Sequence, residues 1–266
     1  MRKIFISADI EGITGVTGWC ETRYGGQGYD AACRQMSLET AAACRAALDA
    51  GYEVVVKDGH EDGLNIDANL LPKGTQLIRS WMSDPYAMMA GLDESYDGAI
   101  YIGYHAKAWS NDSPLTHTIE DYLFNWIKVN GELASEFSLN ALLADEMSVP
   151  SIFLSGDKGI CDDAKSLYPS METVAVKHGT GNATWNIHPE EAIALIEDGV
   201  KKALAAKHQS RSLANEYRME INFKKHQKAR HASWYPGAKQ IDSNTVEITA
   251  KTPTDLAIAR MFMTGV

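Results

Sequence analysis

The sequence predicts an α/β protein, with a mixed, mostly parallel sheet flanked by helices and a small α+β domain at its C-terminal side. Three observations carry that expectation. Short apolar or β-branched runs alternate with stretches of helical period through most of the chain. Several of those runs stop at acids, glycines or histidines. Beyond about residue 208 the pattern changes to period-two alternation followed by one helix.

The first run, Ile4 to Ala8, meets Asp9, Ile10, Glu11 and Gly12. Residues two apart on an extended chain share a face, so Asp9 and Glu11 are expected to converge. Two like charges meeting at the end of a buried strand repel strongly unless a cation lies between them, and a metal ion is the economical reading. A second run, Glu53 to Lys57, stops at Asp58, Gly59 and His60, and a third, Ala99 to Tyr104, stops at His105. In an open parallel sheet functional residues gather outside the carboxyl ends of the strands. Asp9, Glu11, His60 and His105 are therefore expected in one crevice, with Asp58 as a turn former or a partner of His60.

Between these strands the sequence predicts a helix from about Asp30 to Ala50 stopped by Gly51, a short strand near Gln76 to Ile78, and a helix around Tyr86 to Leu92. Trp126 to Leu133 carries Asn130-Gly131 between alternating apolar residues, a hairpin signal, and a helix from Ser135 to Met147 follows. Next come strands at Pro150 to Asp157 and Thr173 to Val176, then a helix from Pro189 to Ala206 with His188 as its cap. The polar segment 205–212 marks the expected boundary between a metal-binding domain, 1–208, and a small α+β domain, 209–266, with strands at 218–223 and 245–250 and a helix at 253–263. The basic run Lys224 to His231 reads as a solvated strand-and-turn edge.

Composition narrows the function. The formal net charge is −10 over 266 residues, with no basic patch to meet phosphates, so no nucleic-acid partner is expected. No window approaches the roughly 18 apolar residues that a membrane span needs, and only five uncharged residues separate Lys3 from Asp9, too few for a secretory core. Cys20, Cys33, Cys44 and Cys161 form neither a C-x-x-C pair nor a disulfide framework. A cytoplasmic protein is the resulting expectation. Gly12, Gly15 and Gly18 suggest a dinucleotide turn, but the spacing is G-x-x-G-x-x-G, and the two carboxylates in front of it would repel pyrophosphate.

The segments Ser7 to Ile13, Asp58-Gly59-His60, Gly103 to Ala106, His117, and Glu136 to Ala141, taken in order, resemble the D-aminopeptidase family of zinc metallopeptidases, the dipeptide-transport-associated type. The likeness runs from residue 3 to about 180 and weakens beyond. It implies a two-zinc site with ligands Asp9, Glu11, His60, His105 and Glu136, and a catalytic His117. It selects Glu136 over Glu132 because the family's glutamate stands four residues before an Asn-Ala, here Asn140-Ala141. The loop from His105 to His117 is one residue longer than the family pattern.

Charge chemistry agrees with two ions. Imidazole mixed with carboxylate suits zinc better than magnesium or calcium. Three carboxylates with one divalent ion leave a negative charge, whereas two ions with one hydroxide cancel it, and Asp9 is the natural bridge. The implied activity is hydrolysis of short peptides or amides, with an N-terminal D-residue, by a homo-oligomer that can extend to a ring assembly. His117 then stabilises the oxyanion or protonates the leaving amine. The runner-up readings are a dinuclear amidohydrolase or phosphoesterase, for which only Lys57, Lys107 and Lys158 lie near in sequence, and a non-catalytic metal-stabilised binding protein. Asp157 is a candidate for the substrate ammonium and Trp185 for a pocket wall.

Overall fold

A computed structural model describes residues 2–266. Its main sheet has seven strands in the order β3-β2-β1-β4-β7-β8-β9. These are β1 (Lys3–Ala8), β2 (Glu53–Asp58), β3 (Thr75–Ile78), β4 (Gly98–Tyr104), β7 (Ser151–Asp157), β8 (Glu172–Thr180) and β9 (Ala183–Asn186). All neighbours are parallel except the β8/β9 hairpin. The near-continuous apolar character of β1 and β4 follows from this, because parallel strands are covered on both faces.

One face is covered by α1 (Tyr29–Asp49) and α4 (Pro189–Ala205), whose Met36, Ala43, Ile196 and Val200 pack on Ile4, Ile6, Val54 and Ile100. The other is covered by α2 (Glu136–Glu146) and α3 (Lys158–Leu167), through Phe137 and Ile160 against Phe5, Tyr101 and Leu154. His188 caps α4, its ring nitrogen accepting from Glu190 N at 3.2 Å. Gly28 and Gly51 bracket α1 in left-handed conformations.

A second, antiparallel sheet has the order β11-β12-β10-β5-β6: β5 (Phe124–Val129), β6 (Glu132–Leu133), β10 (Tyr217–Phe223), β11 (Lys239–Gln240) and β12 (Thr245–Ala250). It encloses its own core with α5 (His226–Ala232) and α6 (Pro253–Thr264), around Phe124, Ile127, Ile221 and Leu256. The sheet thus joins strands from both sides of the boundary expected near 208, since the hairpin at 124–133 pairs with β10.

Two local expectations are corrected, and one helix is added. The segment around Tyr86 to Leu92 is only a single 3₁₀ turn, Ala87–Met89, entered through a left-handed Ala87 at φ 50°. The basic run is the short helix α5. Between the expected strands at 150–157 and 173–176 lies α3, whose cap is Asp157. That last finding also changes the role of Asp157. It is fully buried, and its carboxylate accepts from Ile160 N at 2.9 Å and Ala106 N at 2.8 Å, so both oxygens are engaged in structure.

Candidate metal centre

The carboxyl ends of β1, β2 and β4 are adjacent, and β1 lies between the other two. Chain connections leave β1 toward β2 on one side while β4 lies on the other, which makes this the switch point where open α/β sheets place ligands. Backbone bonds stitch the ends together: Asp9 N donates to Ile102 O at 2.8 Å and Gly12 N to Gly103 O at 2.8 Å. Contact is so close that a Cβ on Gly12 would lie 1.7 Å from the Tyr104 carbonyl oxygen, so only glycine fits. This crossing brings Asp9, Glu11 and His105 together.

All six residues expected at the site meet there. Asp9 Oδ1 lies 3.2 Å and Glu11 Oε2 3.1 Å from His60 Nδ1. Asp9 Oδ2 lies 3.6 Å from His105 Nε2, and Glu136 Oε1 lies 3.4 Å from both His105 Nε2 and His117 Nε2. The two oxygens of Asp9 therefore face different histidines. Glu132, the rejected alternative, is exposed on β6.

Each imidazole is held by its outward nitrogen. His60 Nε2 donates to Thr22 O at 2.6 Å, His105 Nδ1 to Ala106 O at 3.0 Å, and His117 Nδ1 to Leu115 O at 2.9 Å. A carbonyl only accepts, so these outer nitrogens carry hydrogen, and the inward ones face the carboxylates, where each can bear a proton or, once deprotonated, bind a metal. Fixing a histidine tautomer through its far nitrogen is how ligand imidazoles are oriented.

Local sequence explains the positions. Ser135 caps α2, accepting from Ser138 N at 3.0 Å, which sets Glu136 as the first helical residue. Asn140, one turn on, donates to Tyr104 Oη at 2.9 Å, and Tyr104 Oη contacts Ser7 Oγ at 2.7 Å, so α2 is tied to β4 and β1. His117 comes from the long loop after β4, pinned where Thr118 Oγ1 donates to Ala134 O at 2.8 Å. Ile119 adopts φ 70°, an uncommon conformation for a β-branched residue, and its N–H donates to Glu136 Oε1 at 2.7 Å. Asp58 does not touch the His60 ring. It accepts from Asn65 N, Asn65 Nδ2 and Ile66 N at 2.7 to 2.9 Å, and Asn65 Nδ2 donates to His60 O at 2.7 Å, which shapes the loop carrying His60.

Burial and like charge distort every titration here. Burial and the Glu11 charge push Asp9 up to about 7. Burial opposes the charged forms of His105 and Glu136, but their mutual attraction outweighs it, holding His105 up to about 10 and Glu136 down to about 2. Likewise the acids around His60 overcome its burial and raise it, while His60 and the other imidazoles draw Glu11 down. Burial, reinforced by the His105 charge, lowers His117. Despite these short approaches, Asp9 Oδ2, Glu11 Oε2 and His105 Nε2 are buried without a properly directed hydrogen bond. Buried carboxylate oxygens and an inward imidazole nitrogen left without directed hydrogen bonds are what a metal ion resolves, so the donor set fits one.

Sequence reasoning missed three contributors. Lys177, buried in β8, donates to the carbonyls of Glu11 and, at 2.6 Å, Val16, bracing the loop that carries two acids. Thr22 enters through its carbonyl, which no side chain announces. Arg260, on α6, comes from the far end of the chain and lines the cavity in front of the centre. That cavity, about 1030 Å³, exposes Asp9, Glu11, His60, His117 and Glu136. His178 and Trp185 stack on each other at 5.0 Å on the exposed β8/β9 hairpin, outside its lining.

Comparison with known proteins gives the family and the fold. A family model described as D-aminopeptidase (Peptidase_M55) matches residues 1–263. A D-aminopeptidase of Bacillus subtilis (strain 168) is 28% identical over 267 residues, covering 98% of this chain and 96% of that protein. A solved structure described as the Zn-dependent D-aminopeptidase DppA from Bacillus subtilis, a self-compartmentalizing protease, superposes with a TM-score of 0.92 at 27% identity, over 99% of this chain and 97% of that one.

Proposed function

The chain belongs to the D-aminopeptidase family, and from that membership we propose that it is a zinc aminopeptidase, with two ions per chain, removing an N-terminal D-residue from short peptides or amides. The observation that carries the reading is the inward set of imidazole nitrogens and carboxylate oxygens, three of them buried without a hydrogen bond. Asp9, Glu11, His60, His105 and Glu136 would hold the ions. The two oxygens of Asp9 face His60 and His105 separately, so Asp9 would take part in holding metal beside either ring. Zinc bound there supplies a Lewis acid for the scissile carbonyl and a water of lowered pKa.

The remaining work falls to side chains. His117, pushed below the usual imidazole range, is neutral at pH 7 and would take at Nε2 the proton that the attacking water gives up, then pass it to the departing amine as the C–N bond breaks. Its Nδ1–H to Leu115 O holds the ring in place through both transfers. Glu61, Asp84 and Glu120 on the cavity wall favour a substrate ammonium.

The phosphoesterase reading finds little support. Lys107 pairs with Asp163, Lys158 with Asp162, and Lys57 is buried under Trp81, which leaves none of them for a phosphate. An open cavity above the donors speaks against a closed, purely structural metal site. Exposed Trp109, Trp234 and Phe262 support a homo-oligomer. Among the described residues no helix is long and apolar enough to cross a membrane, and we retain the cytoplasm as the proposed location.

Metal analysis and a paired assay test the reading. Purified protein is expected to carry two zinc ions per chain, to lose hydrolysis on chelation, and to cleave D-Ala amide in preference to L-Ala amide. A single ion at full activity overturns the dinuclear site, and a preference for the L-substrate overturns the stereochemistry.

A further inference from the structure

His117 sits on a loop, so its ring has to be fixed from outside its own segment. The Nδ1–H bond to Leu115 O, at 2.9 Å, lies in the ring plane and sets one direction. Rotation of the ring about that line stays open. His105 stacks on the ring with centroids 4.2 Å apart, and a second aromatic neighbour, Trp19, meets it at 5.3 Å and 64°. Trp19 and His117 stand together on the cavity wall.

Trp19 opens a 3₁₀ turn, Trp19–Glu21, that is braced on every side. Glu21 Oε2 accepts from Thr17 N and Gly18 N, each at 2.8 Å, which closes the turn from within. Thr22 Oγ1 donates to Trp19 O at 3.2 Å, and the Thr22 carbonyl is the acceptor that fixes His60. Arg23 lies over the indole at 5.4 Å and pairs with Asp121 at 3.2 Å, four residues past His117. The indole itself is half-buried and packs on the core shared by α1 and β1. A ring held by core, backbone and guanidinium is a fixed wall, and His117 rests against it. We propose that Trp19 is a positioning residue that keeps the His117 ring in its stack with His105, with Nε2 turned toward Glu136 and the cavity. The proposal rests on the reading of His117 as the proton carrier. It makes one turn the support of two histidines, through an indole for His117 and a carbonyl for His60.

Trp19→Leu, which keeps the apolar contact with the core but removes the ring, and Trp19→Phe, which keeps a ring, test it together. In Trp19→Leu kcat should fall by about 10- to 100-fold, the range for a catalytic group held slightly out of place, with zinc content unchanged and KM within about threefold of the wild type. Trp19→Phe should restore most of the rate because an aromatic contact remains. A rise in KM at unchanged kcat would make the indole a wall for substrate and overturn the proposal, as would equal losses in the two variants. Long-range 15N–1H spectra of the zinc-free proteins read the ring without turnover, with the His117 signals identified by their loss in His117→Ala. The wild type should show a single tautomer with hydrogen on Nδ1, and Trp19→Leu a mixture of the two. That mixture without any change in rate upholds the placement and sinks only the reading of His117 as proton carrier. A mixture already present in the wild type overturns the proposal without recourse to any variant, and identical ring spectra in wild type and Trp19→Leu overturn it whatever the rates.

Discussion

His105 and His117 lie stacked, with ring centroids 4.2 Å apart and planes 10° from parallel. Two imidazoles so close cannot both be charged cheaply, and Glu136 holds the proton on His105, so His117 is the one left neutral. Holding one ring charged or metal-bound makes its neighbour a base.

That division predicts the behaviour of His117→Ala. Zinc content should stay at the wild-type level while kcat falls by about 10² to 10⁴. Metal stoichiometry and kcat are to be measured on the same sample. Lost zinc would make His117 a ligand, since its Nε2 is as near Glu136 as that of His105.

Glu136→Gln should lower zinc occupancy and activity together, while Glu132→Gln, at an exposed position on β6, should change neither. Zinc content by atomic absorption beside specific activity separates the two. An inert Glu136→Gln would remove this residue from the site.

Metal loading should release protons. His60 and His105 are held protonated in the metal-free protein at pH 7, and a ligand imidazole must be neutral, so binding should expel about two protons per chain. Calorimetry in buffers of different ionisation enthalpy counts them. Proton-neutral binding would mean that the zinc lies elsewhere.

A pH effect is expected away from the metal. Glu39 on α1 is fully buried, accepts from Thr14 N at 3.1 Å and Gln35 Nε2 at 3.0 Å, and leaves Oε2 without a partner. Burial pushes it up to about 7 from an ordinary 4.5. Because the folded pKa is the higher one, the folded state binds more protons between the two values. Stability from this group is therefore full below about 4.5 and is lost as pH rises through about 7. Glu39→Gln should flatten that loss, worth up to about 3 kcal/mol, in denaturant melts at pH 5 and pH 8. Parallel pH profiles for the two proteins would show that Glu39 ionises freely.

The strand ends were legible because each is a local event. A buried β-branched run that stops at Asp9, His60 or His105 needs no partner to be recognised, and Glu136 was placed by the family resemblance through Asn140. What was not legible depends on distant chain. Apart from its hairpin partner β6, strand β5 joins a sheet whose members begin nearly ninety residues later, and nothing in the 124–129 run says which sheet it enters. Asp157 looked like a site acid by the same rule that found Asp9, but the helix that follows claims its oxygens. Arg260 gave no signal, because its neighbours in sequence are ordinary helix residues and only the docking of α6 carries it to the cavity.

The pairing of β5 with β10 also sets an order of events during synthesis. Asp9, Glu11, His60, His105, His117 and Glu136 all leave the ribosome before β10 exists, yet the hairpin that follows the His117 loop finds its sheet only when residues 217–223 arrive. A nascent chain therefore carries all six residues of the proposed site on an unfinished wall. The cavity wall that α6 and β10 complete is thus the last part of the site to form.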